Sequence, residues 1–379
     1  MTNLSQTALG AWSGGRYMRF GEPLSDERFE ALLKPDDRIQ TVITADTYGT
    51  GEADKSVGRS IAGLPRESFN LVGAVGHDFV KGERVGAKGF PRFTNPALRG
   101  PDGYADYLRN ATEASLERCG VDSFDLLLLH NPDRIGYTSP IVWEAMASLK
   151  QDGLAGAIGV APGPANGFVL DLINCVETFG DLIDWAMVIL NPLEPWPAGM
   201  SLAACEANNV NVIARVADYG GLFHGDVKAG HPFLEFDHRN FRPQGWVERG
   251  LAKIEQMRPY ADDAGLTTLQ LACAWNLSSP AVKCVVPTLI EEGVGGSRPV
   301  EAQREDLASL PADAGNILTT EAITAIREIG DNKGSMRLKG AGPDHEGEEV
   351  ADSWSVTEQL IEVGARWEVA PADLAFASA

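Results

Sequence analysis

Residues 124–133 read FDLLLLHNPD, an apolar run closed by a histidine, an asparagine, a proline and an aspartate. The leucines read as a buried strand, and the Asn-Pro step marks its end. Similar short runs recur at 40–45 (QTVITA), 69–75 (FNLVGAV), 155–161 (AGAIGVA), 185–190 (WAMVIL), 210–215 (VNVIAR) and 281–286 (AVKCVV). A helix-like segment follows each of them, and that alternation predicts parallel strands covered by helices. An eighth strand is expected around GGRYMRFG, residues 14–21. Eight such units suit a closed (β/α)8 TIM barrel of about 250 residues or more better than an open doubly wound sheet. Neither GxGxxG nor GxxxxGK[ST] follows any of the strands, which argues against phosphate binding of the open-sheet kind.

The barrel is assigned to residues 1–330 and a C-terminal extension to 331–379. In the extension, Val356, Leu360, Val363 and Trp367 recur at helical spacing and form an apolar stripe that should dock on the barrel. Three insertions, 77–101, 216–247 and 288–300, each follow an expected strand. Loops after barrel strands gather at the C-terminal face, so these three should surround one mouth and build a substrate pocket.

Composition narrows the partners. With 32 basic and 53 acidic residues the formal charge is −21, which opposes binding to nucleic acid and to anionic membranes. The N-terminus has neither the basic start nor the apolar core of a signal peptide, and no apolar stretch reaches membrane-spanning length. The five cysteines show no metal-ligand spacing and read as buried thiols. A cytoplasmic protein acting on a small molecule is the expectation, with the oligomeric state left open.

Two residues at strand ends carry the strongest chemical signal. Tyr48 follows the strand at 40–45 and His130 closes the leucine run, so both are expected at the mouth. A tyrosine there is suited to proton transfer if a neighbour lowers its pKa from about 10, and a histidine to polarising a carbonyl. The alternatives are a tyrosine packed by its ring and a hydrogen-bonded structural histidine. Arg215 ends another strand and reads either as an oxyanion or carboxylate clamp or as half of an ion pair. The loop HGDVKAGHPFLEFDHR collects His224, Asp226, His231, Asp237, His238 and Arg239, which suits a polyhydroxylated or anionic substrate, a metal, or a hydrogen-bonded scaffold. It has no familiar metal-ligand spacing, so no metal is assigned.

TADTYGTGEAD (44–54), LLLLHNPD (126–133), GLAGAIGVA (153–161) and DDAGLTTLQLACAWNLSSPAVKCVVP (262–287) together resemble the aldo-keto reductase family, in particular its aldose-dehydrogenase-like branches. The resemblance covers about residues 8 to 330. It implies a (β/α)8 barrel that binds NADP or NAD across its C-terminal face and reduces a carbonyl with an Asp, Tyr, Lys and His tetrad. Tyr48 matches the family's acid and His130 its substrate-orienting histidine. The aspartate position holds Ile43 and the lysine position Ala74. Loss of the lysine removes the charge that lowers the tyrosine pKa, so Tyr48 should be a weak acid. An aspartate kept without its lysine would be a buried unpaired charge, so the two losses agree.

The cofactor contacts implied by the family also change. Its Ser-Asn pair reads Ala161 and Pro162, its glutamine reads Met187, and its nicotinamide-stacking aromatic reads Arg215. Asn191, Arg298 and Arg304 remain as cofactor-contact candidates, the two arginines for an adenosine phosphate. Lys81 or Lys88 is a possible loop replacement for the lost lysine, against a solvated loop cation. Three functions follow from this reading: an NAD(P)-linked carbonyl or sugar oxidoreductase, a cofactor-independent lyase, isomerase or hydrolase using Tyr48 and His130 as acid and base, or a non-catalytic binding subunit.

Overall fold

A computed structural model describes residues 3–85 and 89–377. Its eight parallel strands are β1 (Ala8–Gly10), β2 (Thr41–Ile43), β3 (Asn70–Val75), β4 (Leu126–His130), β5 (Ile158–Ala161), β6 (Trp185–Ile189), β7 (Asn211–Arg215) and β8 (Val282–Val286), neighbours in chain order. A parallel bridge between Thr7 and Val285, with the Val285 N–H donating to the Gln6 carbonyl at 2.9 Å, brings the last strand back to the first. The chain therefore folds as a (β/α)8 TIM barrel.

The first strand corrects the sequence expectation. It lies at Ala8–Gly10, not at 14–21, where Gly14, Gly15 and Gly21 take φ values of 68°, 70° and 66°. Left-handed backbone at three points turns the chain instead of extending it.

Strand periodicity sorts the core into two layers. Ile43, Val72, Ala74, Leu126, Leu128, Trp185, Met187, Ile213, Cys284 and Val286 pack together inside the barrel. Their alternates, among them Val42, Leu127, Leu129, Val160, Ala186, Val188 and Val212, pack outward under the helices. Side chains two apart share a face, so His130 follows Leu126 and Leu128 inward, and Arg215 follows Ile213. The alternation itself delivers these two polar groups to the top of the barrel interior.

The strand ends are secured by local chemistry. Asp133 of the NPD sequence caps the next short helix, accepting from the Gly136 N–H at 2.9 Å and from the Thr94 hydroxyl at 2.6 Å. The Thr268–Leu277 helix before β8 opens with a reciprocal capping box between Thr267 and Gln270.

The extension forms a two-stranded parallel sheet, β9 (Gly340–Gly342) with β10 (Ser353–Ser355), and a helix at Glu358–Arg366. That helix buries Leu360 and Val363 beside the Val169–Phe179 helix, and the Trp367 indole donates to Glu177 at 2.6 Å. Asp171 on the barrel helix accepts from the Ala341 N–H and the Trp354 indole, both at 2.9 Å. Trp354 also packs against Tyr137 and Phe168. Among the described residues no helix is long and apolar enough to cross a membrane.

Candidate active site

Tyr48 stands in a tight turn one residue group beyond β2, its N–H donating to the Ala45 carbonyl at 3.0 Å. Gly49 and Thr50 take φ values of 58° and 54°, and a Cβ on Gly49 would lie 2.6 Å from the Tyr17 ring. Glycine is thus required at 49 by both conformation and space. The turn sets the Tyr48 ring edge-to-face against His130, with centroids 5.7 Å apart and planes at 86°.

His130 is 6% exposed, and its Nδ1 is buried with no hydrogen-bond partner. Burial, then the neighbouring His77, Arg215 and Arg92, hold its imidazolium well below the usual range. It is therefore a neutral ring across physiological pH. Burial pushes the Tyr48 phenol above its ordinary value, with the Arg215 guanidinium opposing and Asp46 adding to the rise. Tyr48 is protonated at neutral pH, a donor and not a tyrosinate. Ile43 and Ala74 sit beside them at 1% and 2% exposure, so the barrel interior here is closed by apolar side chains.

Four contributors are not among the residues that the sequence reading assigns to the site. His77, immediately past β3, faces His130 at 5.3 Å. Its Nδ1 lies 2.8 Å from the Phe90 carbonyl and its Nε2 3.1 Å from the Asn131 amide, and burial drives its pKa down to about 3. The ring is thus neutral, donating to Phe90 and accepting from Asn131. Arg92 donates to the Asn131 carbonyl at 2.5 Å and pairs with Asp352 of the extension. Asp46, 1% exposed, has an unpartnered Oδ1, and burial, followed by Asp54, raises its pKa well above the carboxylate range. His77 and Asp46 adjoin predicted strands and were within reach of the strand-end rule. Arg92 and Asp352 lie 260 positions apart, and no sequence pattern joins them.

Arg215 lies level with Ile189 and Val286 in the barrel register and is half-buried. Its Nη2 donates to the Pro162 carbonyl at 3.0 Å, and its Nε is buried without a partner.

In the 216–247 loop, where a substrate site, a metal site and a hydrogen-bonded scaffold were the alternatives, the polar side chains bond largely to protein groups. Arg239 is 2% exposed and makes charge-assisted bonds to Asp237 (2.7 Å from Nη2) and Glu292 (2.7 Å from Nη1), and His231 Nε2 lies 3.0 Å from Glu292. His224 Nε2 meets the Thr288 carbonyl at 2.8 Å. Asp226 accepts from the Arg298 N–H at 2.9 Å, and His238 Nδ1 accepts from the Arg19 N–H at 3.1 Å. These side chains bind the loop to the β8 loop and to the N-terminal turn. Most of their polar atoms are committed to protein, His224 Nδ1 being buried without a partner among the described residues. Among the described residues no three His, Cys, Asp or Glu side chains converge as a metal site.

The nicotinamide cofactor implied by the resemblance meets a poor fit. Ala161 and Met187 are apolar and buried at 1% and 4% exposure, and the Pro162 carbonyl is taken by Arg215. Asn191 is fully buried, donating to Glu194 at 2.9 Å and to the Val216 carbonyl at 3.1 Å. Arg304 is tied to Asp36 at 2.9 Å and to the Leu32 and Lys34 carbonyls, and Arg298 to Asp226. Lys81 is exposed, and Lys88 lies outside the described residues. The residues present do not hold a nicotinamide amide in the way the family's Ser-Asn and glutamine would.

Comparison with known proteins gives these features a lineage. An aldo-keto reductase of Mycolicibacterium smegmatis is 35% identical over 121 residues, 30% of this chain and 42% of that protein. The chain thus spans less than half the length of that relative. The NADP(+) aldo-keto reductase of Schizosaccharomyces pombe is 24% identical over 352 residues, 88% of this chain and 92% of the relative. The glycerol dehydrogenase of Gluconobacter oxydans superposes with a TM-score of 0.63 at 24% identity, covering 86% of this chain and 91% of that one, which speaks to fold alone. The family model for the aldo/keto reductase family matches residues 8–292, and the chain belongs to that family.

Proposed function

We propose that this protein acts on the carbonyl group of a small, sugar-like molecule at the barrel mouth, with Tyr48 and His130 as its hydrogen-bonding and proton-transferring groups. The observation that carries this reading is the edge-to-face placement of Tyr48 against a neutral His130 whose Nδ1 has no protein partner. Among the described residues no protein group hydrogen-bonds the Tyr48 hydroxyl either. Two neutral groups free to donate to one oxygen polarise a C=O bond and stabilise the negative charge that develops on it. Because Tyr48 stays protonated, it acts as a general acid that gives its proton late.

Family membership supports oxidoreduction as the reaction class, and the S. pombe relative's name supports NADP as the hydride carrier. A bound nicotinamide would supply or accept the hydride. The poor fit of Ala161, Pro162 and Met187 favours a second reading, in which the same two groups move protons without a hydride, as in a lyase, isomerase or hydrolase.

Two assays on the purified protein separate these. NADPH and NADH fluorescence titrations report cofactor binding, and a panel of aldoses, uronic acids and 2-oxo acids is assayed with and without cofactor. Cofactor-dependent turnover lost in Tyr48→Phe supports the oxidoreductase. Turnover independent of cofactor but lost in Tyr48→Phe and His130→Ala supports proton transfer. Turnover that survives both variants overturns the proposal.

A further inference from the structure

The barrel mouth holds one guanidinium that stands apart from its fellows. Arg92, Arg99, Arg118, Arg239 and Arg242 all form ion pairs, with Asp352, Asp78, Asp54, Asp237 and Glu194 as respective partners. Arg215 makes no ion pair among the described residues, although acids outnumber bases by 53 to 32 in the chain. Glu194, whose charge reaches Arg215, gives its oxygens to Asn191 at 2.9 Å, Asn166 at 3.2 Å and Arg242 at 3.4 Å. Among the described residues the Arg215 side chain makes one hydrogen bond, to the Pro162 carbonyl, and its Nε is buried and unmatched.

The surroundings fix this unmatched cation in place. Val216, directly after it, is a β-branched residue at φ 58°, a conformation such residues avoid unless the fold imposes it. It is held there by its N–H to the Val286 carbonyl at 3.0 Å and by the Asn191 amide on its own carbonyl at 3.1 Å. On the other side, a Cβ at Gly163 would come within 2.2 Å of Asn131 Oδ1 and 3.1 Å of Arg215 Nη2, so this loop packs directly against both. The Arg215 charge is felt by Tyr48 and by His130 alike, which puts all three in one electrostatic neighbourhood.

We propose that Arg215 is the anion-binding residue of this mouth, and that the molecule on which Tyr48 and His130 act carries a carboxylate as well as a carbonyl, adjacent as in a 2-oxo acid or at opposite ends of the chain as in a uronic acid. This rests on the reading of Tyr48 and His130 as carbonyl-binding groups. A guanidinium keeps its charge when partly buried and presents a planar fork that matches a carboxylate, and the unpaired Nε supplies one tine. The substrate's carboxylate then completes the ion pair that the protein leaves open, and the carbonyl is turned toward Tyr48 and His130.

The test is calorimetric titration with two matched pairs, pyruvate against acetone and D-glucuronate against D-glucose, on the wild type, Arg215→Met, Arg215→Lys and Tyr48→Phe. In the wild type at least one anion is expected to bind about tenfold or more tightly than its neutral counterpart. The preference should vanish in Arg215→Met and shrink in Arg215→Lys, which keeps the charge but not the fork. Because it is a ratio within one protein, general destabilisation weakens both members without erasing it, and Arg215→Lys covers the case in which Arg215→Met does not fold. Which pair responds tells a 2-oxo acid from a uronic acid. Equal affinities within both pairs, no anion binding, or a preference that survives Arg215→Met would overturn the proposal. Should the carbonyl reading alone fail, Tyr48→Phe leaves affinities and turnover unchanged while the dependence on Arg215 persists.

Discussion

Two polar clusters sit at the C-terminal face of this barrel, and they differ in how fully their atoms are paired. In the loop after β7, Arg239 has each of its nitrogens bonded to Asp237, Glu292 or the Gly220 carbonyl. At the strand ends, His130 Nδ1, Asp46 Oδ1 and Arg215 Nε are buried with nothing to bond. Buried polar atoms are nearly always satisfied, because an unmatched one costs its full desolvation. A saturated cluster is a scaffold. The unsaturated one at the barrel mouth is where we propose that a ligand is bound.

The largest expected effect belongs to the unsaturated cluster. Tyr48→Phe should lower turnover by about 10²- to 10⁴-fold, the usual contribution of a positioned proton donor. Its melting temperature should barely move, since the hydroxyl has no hydrogen bond to lose among the described residues. A parallel fall in stability would mean that Tyr48 is structural.

The saturated cluster should behave in the opposite way. Arg239→Met strands Asp237 and Glu292 as buried carboxylates and should cost about 3–5 kcal/mol in denaturant unfolding. Arg215→Met removes a single hydrogen bond to a carbonyl and should cost about 1 kcal/mol. Equal costs would break the contrast between the two clusters.

Asp171 represents an intermediate case, hydrogen-bonded at both oxygens yet without a counter-cation in contact among the described residues. Burial lifts its pKa from 3.8 to about 6 against the opposing bonds from Ala341 and Trp354. A carboxyl with a raised folded-state pKa contributes stability that is complete below the unfolded value and is lost as pH rises through the folded one. Relative to Asp171→Asn, the wild type should therefore lose about 2–3 kcal/mol between about pH 4 and about pH 7. A flat difference would show that its hydrogen bonds offset burial fully. The smallest effect is expected on the surface, where Arg134 meets Glu349 at 2.8 Å with both half exposed. Glu349→Gln should change stability by less than about 1 kcal/mol.

The same contrast explains what the sequence could convey. Short runs rich in apolar residues placed the strands from β2 to β8, and the ends of these runs delivered Tyr48, His130 and Arg215 to the mouth. β1 reads Ala-Leu-Gly, with none of the β-branched residues that mark the equally short β2, and the glycine-rich segment after it drew the assignment away. The density of charge in 224–239 was equally plain in the sequence, but density does not reveal pairing. Arg239 meets Glu292 across 53 positions, and His224 meets Thr288 across 64. Only the closed barrel brings those partners together, and only then do these residues separate from the ones left unmatched.

The protonation state of the mouth can be observed directly, without a substrate. In protein labelled with ¹⁵N in its imidazole rings, six histidines contribute signals, and His130→Gln identifies one of them. If burial and the nearby cations hold His130 neutral, its ring nitrogens keep the shifts of an uncharged imidazole at pH values well below about 6.5, where an ordinary histidine protonates. A His130 titration centred near 6.5 would contradict the picture of a neutral, unpartnered donor beside Tyr48.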